Sequence, residues 1–138
     1  MFGWRESYRV EVKEIDAQHQ HLFALLKNLH RAALEGLPPW ELEPLLAEVV
    51  SYTEQHFATE EALMRKYEYP DIAIHKRLHD ALLAQANDVH EKAKQSALTM
   101  PTITKFLEFW IAHHVSEADR KLGRFLISRR QVRRDRFT

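Results

Sequence analysis

Cysteine is absent from the 138 residues, which excludes disulfides, thiolate zinc sites and cysteine-held iron–sulfur clusters. Glycine and proline are scarce, 3 and 5 in number, so interruptions are few and each marks a boundary. Net charge is missing too: 20 Lys plus Arg balance 20 Asp plus Glu, and no global field attracts nucleic acid or an anionic membrane. No apolar run approaches membrane-spanning length, and the opening MFGWRESYRV lacks the apolar core of a signal peptide. The expectation is a cytoplasmic protein with no nucleic-acid partner and no membrane insertion. What is present, 45% hydrophobic and 29% charged residues, is the composition of a soluble globular chain, read as one domain over residues 1–138.

The breaks divide the chain. Gly36 with Pro38 and Pro39, then Pro70, then Pro101 separate segments of helical periodicity. The first runs from Asp16, a good N-cap, to about Leu34. The second covers about Trp40 to Lys66, with Pro44 tolerable near the first turn. The third spans about Asp71 to Ser96, and the fourth starts near Thr102. Beyond His114 the pattern loosens, and Glu117 to Arg129 is expected as a short helix before a solvated basic tail, 130–138. Residues 1–15 read as an extended arm offering Trp4, Tyr8, Val10 and Val12 for packing.

The apolar stripes are Ile15, His19, Leu22, Leu26, Leu29, Ala33; Leu42, Leu45, Val49, His56, Glu60, Leu63; Ile72, His75, His79, Leu82, Ala86, Val89; and Ile103, Phe106, Trp110, His114. Short connections make neighbouring helices antiparallel. The predicted architecture is therefore all-α, an up-down-up-down four-helix bundle with an N-terminal arm.

Histidines and a glutamate stand inside these stripes, where an unpaired polar group costs roughly 1–3 kcal/mol. His19 lies near the start of helix one, His56 and Glu60 near the end of helix two, His75 and His79 at the start of helix three, and His114 near the end of helix four. In an antiparallel bundle these positions share one level. The pairs His56/Glu60 and His75/His79 also have the i,i+4 spacing that aims two side chains at one target, which is metal-ligand geometry. The remaining histidines do not join them. His21 is about 200° around the helix from His19, and His113 about 100° from His114; His30 and His90 are each eleven residues beyond a stripe ligand, about 16 Å along the bundle. A further carboxylate ligand is suggested by HHVSEAD. Asp119 follows His114 by five residues, about 140° off the inward direction on a regular helix, unless a π-bulge brings it back; Glu117, at i+3, competes for the role.

The segments WRESYRVEVKEIDAQHQHLF, HFATEEALMRKYEYP, HKRLH and WIAHHVSEAD resemble the hemerythrin family in its bacterial form, in order and over nearly the whole chain. The resemblance implies two non-haem irons joined by an oxo or hydroxo bridge. His75, His79 and His114 would hold one iron, His19 and His56 the other, with Glu60 and Asp119 bridging. Departures are Glu11 where the family usually has glycine, Val115 in place of isoleucine, and the added acid Glu117.

Counting ligands, five imidazoles, two bridging carboxylates and one shared bridge leave one of two octahedral irons a position short. Dioxygen is the natural occupant, with Phe23, Trp110 and Ile111 as expected pocket walls. No Glu-x-x-His of the carboxylate-rich di-iron enzymes occurs. The expected function is reversible dioxygen binding for storage, delivery or buffering, without turnover. The alternatives are a di-iron oxidase or peroxidase-like enzyme using Glu117, or an oxygen sensor acting through a protein partner.

Overall fold

The computed structural model describes residues 3–95 and 99–136, with side chains through Arg130. Four long helices form the bundle: α1 (Lys13–Leu34), α2 (Pro39–Lys66), α3 (Ile72–Lys94) and α4 (Met100–His114). In space α1 lies against α2 and α4, and α3 closes the ring between α2 and α4. No helix among the described residues is long and apolar enough to cross a membrane.

The helix ends follow local chemistry. After α1, Leu37 N–H donates to Ala32 O and Gly36 N–H to Ala33 O, with Gly36 at φ 82, the left-handed closure glycine adopts without strain. Pro39 opens α2 at the position where a missing N–H costs nothing. The end of α2 repeats the closure on Tyr69 N–H to Met64 O, but the left-handed residue is Glu68, at φ 55.

Two expectations at the chain ends need correction. Helix α1 begins at Lys13 with Val12 at its N-cap, so Asp16 caps nothing there. The Asp16 carboxylate instead turns back to the arm and accepts from Val10 N–H at 2.8 Å and Glu11 N–H at 3.1 Å. Two successive amides converging on one acid form a small anion nest, and the nest holds Glu11 at φ 65. The arm carries a single 3-10 turn, Glu6–Tyr8; Met1 and Phe2 lie outside the described residues.

At the other end no separate short helix starts at Glu117. Val115–Asp119 is a π turn, and α5 (Arg120–Arg136) continues directly from it into the stretch read as a solvated tail. The reason is an apolar face that became visible only in three dimensions: Leu122 and Leu126 are buried with Val10, Val12, Ile15, Met64, Tyr67 and Tyr69. Residues 137–138 and Ser96 fall outside the described residues.

The stripes otherwise hold, with local offsets. Phe106 is exposed, and the inward line of α4 is Ile103, Leu107, Ile111, His114. Ala32, Leu46 and Met64 are the buried partners of half-buried Ala33, Leu45 and Leu63. The main core, from Leu22 and Phe23 through Leu46, Val49, Ala86 and Ile103 to Val115, fills one part of the bundle. The smaller cluster around Val10, Ile15, Met64 and Leu122 fills the other. Between the two lies the polar layer.

Candidate metal centre

All seven residues named from the sequence meet in that layer. His19, His56, Glu60, His75, His79, His114 and Asp119 are buried, and their ligand atoms form two groups: Glu60, His75, His79, His114 and Asp119 in one, His19, His56, Glu60 and Asp119 in the other, each with atoms within 4.8 Å of one another. Asp119 reaches the layer through the π turn. The wider turn restores the inward direction that a regular helix would have lost by five residues after His114, leaving Asp119 Oδ1 3.1 Å from His114 Nε2. Glu117, in the same turn, is exposed.

Each carboxylate divides its oxygens between the groups. Glu60 Oε1 is 3.1 Å from His75 Nε2 and 3.0 Å from His79 Nε2, while Oε2 is 2.7 Å from His56 Nε2 and 3.4 Å from His19 Nε2. Asp119 Oδ1 faces His75 and His114, both at 3.1 Å, and Oδ2 faces His19 at 3.0 Å. Despite these short separations, His19 Nε2, His56 Nε2, His114 Nε2, Glu60 Oε2 and both Asp119 oxygens make no properly angled hydrogen bond. Lone pairs that crowd together without pointing at one another point at something between them. Two donors at right angles on a metal, each at about 2.1 Å, stand roughly 3.0 Å apart, which is the spacing found here. The donor set therefore fits a pair of metal ions sharing two carboxylates.

Electrostatics in the metal-free protein tell the same story. Burial opposes charge on His19 and on His75, but the carboxylates of Asp119 and Glu60, 3.0 to 3.4 Å away, overcome it by close contact and coulombic attraction and raise each imidazole to about 9. Burial would likewise raise the acids, and for Asp119 the Glu60 charge adds to that. The surrounding histidines prevail and hold Glu60 well below, and Asp119 below, the ordinary carboxylate range. Protons on the imidazoles here supply the positive charge that cations would bring to the two carboxylates.

The residues behind the ligands were missed from sequence. His56 Nδ1 is 2.6 Å from Gln18 Oε1, and His79 Nδ1 is 3.0 Å from Glu61 Oε2. Phe57 stacks on the His79 ring at 3.8 Å between centroids, 4° from parallel. A signal existed, since ligating imidazoles habitually donate their second N–H to a carboxylate or carbonyl, and Gln18 and Glu61 directly adjoin ligands in the chain.

A small cavity of about 10 Å³ adjoins the cluster, walled by His19 and His56 of one group, His114 of the other and the shared Asp119, together with Leu22, Thr53, Leu82, Trp110, Ile111 and Val115; it is at the threshold that admits one water-sized molecule. Trp110 and Ile111, expected as pocket walls, both line this cavity. Phe23 does not line it: that ring is buried against the arm, stacked on Tyr8 at 4.9 Å. The other histidines stay apart. His21 is exposed beside Tyr52, His113 is exposed, His30 Nδ1 is 2.7 Å from Thr104 Oγ1, and His90 Nε2 is 2.7 Å from Glu43 Oε1.

Fold and site together define a helical-bundle protein with a buried cluster of five imidazoles and two shared carboxylates built to hold metal. More narrowly, residues 10–126 match the Hemerythrin HHE cation binding domain, and the chain belongs to the hemerythrin family. It is 32% identical over 110 residues to the bacteriohemerythrin of Methylococcus capsulatus (strain Bath), covering 78% of this chain and 82% of that one. It is 28% identical over 116 residues to the bacteriohemerythrin of Stenotrophomonas maltophilia, covering 84% and 75%. A crystal structure of wild-type hemerythrin superposes with a TM-score of 0.83 at 28% identity, covering 91% of this chain and 98% of that one.

Proposed function

We propose that this chain binds dioxygen reversibly at a non-haem di-iron centre, for storage, delivery or buffering, and does not turn it over. His75, His79 and His114 would hold one iron, His19 and His56 the other, and Glu60 and Asp119 would be shared between them. A ferrous pair there would supply the two electrons on which reversible dioxygen binding draws. The observation that carries the reading is the asymmetry of the cluster, three imidazoles in one group and two in the other, beside a small apolar cavity walled by both imidazoles of the second group and one, His114, of the first.

The chain's own groups favour binding over chemistry. Leu22, Leu82, Ile111 and Val115 give the cavity largely apolar walls, and Trp110 turns its N–H away to Gln85 Oε1 at 2.7 Å. The Thr53 hydroxyl donates to Val49 O at 2.8 Å, so its proton is engaged. The acid Glu117, which an oxidase reading would enlist, faces solvent. Trp110, Thr53 and Glu117 thus offer the cavity no ready proton, and proton supply is what reductive chemistry on dioxygen requires.

The test is anaerobic loading with Fe(II), elemental analysis, then cycling between oxygen and argon. Two irons per chain and a visible band that appears with oxygen and fades under argon over several cycles are expected. Continuous oxygen consumption with a reductant, over many turnovers per site, would replace the carrier by the oxidase.

A further inference from the structure

The two groups of ligands differ in what stands behind them. His79 aims Nε2 at Glu60 Oε1, 3.0 Å away in the centre, so its proton sits on Nδ1 when Nε2 binds metal, and that N–H donates to the Glu61 carboxylate at 3.0 Å. Glu61 has only 15% of its side chain exposed, so water screens its charge incompletely. Lys76 lies 3.7 Å from Glu61 but is half exposed and shared with Asp80 at 3.1 Å. A carboxylate accepting from a ligating imidazole makes that imidazole a stronger donor.

On the other side the acceptor is neutral. His56 Nδ1–H donates to Gln18 Oε1 at 2.6 Å. The orientation of that amide is fixed by a relay: Thr59 Oγ1 donates to Gln55 O at 3.2 Å, leaving a lone pair for Gln18 Nε2 at 3.4 Å, and Oε1 is thereby turned to His56.

We propose that Glu61 and Gln18 are positioning residues that make the two metal positions unequal: the carboxylate behind His79 tightens the three-histidine position, the amide behind His56 leaves the two-histidine position the weaker, and a divalent metal fills them in that order. The inference rests on the two-metal reading of the cluster and not on dioxygen.

The experiment titrates the metal-free 138-residue chain with Zn(II) under competition from a chromogenic chelator, alongside Glu61→Gln and Gln18→Glu, with circular dichroism to verify the fold. Both changes are nearly isosteric; Glu61→Gln removes a charge, and Gln18→Glu adds one while replacing the amide donor to Thr59 Oγ1 by an acceptor that the Thr59 hydroxyl can meet by donating. Wild type should bind in two steps. Glu61→Gln should weaken the first roughly 10- to 100-fold, and Gln18→Glu should strengthen the second by a comparable factor. In the iron-loaded protein the reduction potential should move up in the first variant and down in the second, a pair of opposite shifts that loss of structure cannot produce. If Glu61→Gln leaves the first step unchanged, or both variants weaken binding, the inference is wrong while the two-metal centre stands. Uptake of a single metal by the wild type would overturn the two-metal reading and the inference with it.

Discussion

Replacing Gly123 by alanine should destabilise the protein, although the same change on an exposed helix stabilises by about 1 kcal/mol. Gly123 lies in α5 where the helix meets the arm, and an added Cβ would stand 2.6 Å from Val10 O and 2.9 Å from Val10 Cβ. Ordinary contact begins near 3.4 Å, so arm and helix would have to part by about 0.8 Å. Val10 cannot slide away cheaply, because its N–H is held by the buried Asp16 carboxylate at 2.8 Å. Overpacking of this kind costs about 1–3 kcal/mol, and complete release of the arm, exposing Val10 and Val12, would cost roughly 3–6 kcal/mol. Because the closest atom is backbone rather than the end of a flexible side chain, the cost falls in the upper part of the overpacking range, about 2–3 kcal/mol, and net of the helix-propensity gain a loss of about 1–2 kcal/mol is expected. Urea unfolding of the metal-free protein, followed by far-UV circular dichroism, should show the midpoint falling by roughly 0.5–1 M. An unchanged or raised midpoint would mean that α5 does not approach the arm backbone this closely.

Three further outcomes can be checked. Glu11→Gly should raise stability by about 1 kcal/mol, since glycine takes the φ of 65 without strain and the exposed Arg9–Glu11 pair contributes little; a lower melting temperature would contradict the turn geometry. Metal uptake at pH 7 should release about two protons, because His19 and His75, raised to about 9, are protonated in the metal-free fold. The release should vanish as pH climbs through 9, as calorimetry in buffers of different ionisation enthalpy would reveal. The sign for stability matches: the contribution of these histidines to the metal-free fold is complete below the ordinary imidazole value and lost as pH rises through about 9, whereas that of the depressed Glu60 and Asp119 is present above the ordinary carboxylate range and lost on acidification. Finally, Asp119→Asn should abolish two-metal loading and Glu117→Gln should leave it intact; elemental analysis giving the reverse would reassign the bridging acid.

The bundle was legible in the sequence because burial imposes a 3.6-residue rhythm, and the metal layer because buried histidines at one level demand a partner. By periodicity Asp119 was only one of two options, since the angle that decides it belongs to a π turn that spacing cannot foresee; the resemblance to the hemerythrin family is what singled it out over Glu117. Asp16 misled for a related reason: a carboxylate near a helix start serves equally as a cap or, as here, as the anchor of an incoming strand of chain, and only the path of Val10 and Glu11 distinguishes them. Phe23 misled because adjacency to His19 along the chain fixes a level and not a side, and its side belongs to the arm. Gln18 and Glu61 are polar residues beside ligands, a description that fits many solvent-facing positions.

The polar layer between the two apolar clusters makes the cooperativity of unfolding depend on occupancy. Without metal, that cross-section of the bundle is the place where buried donors and acceptors are worst satisfied, so it is the plane along which the molecule parts most easily. The cluster of Val10, Ile15, Met64, Tyr69, Leu122 and Leu126 could then open as a unit of its own while the larger cluster stays closed. With ions in place, the same plane ties four helices at one level and becomes the last to yield. Amide hydrogen exchange should accordingly show two separable units in the metal-free protein and one in the loaded protein, the ions having welded two halves into a single folding body.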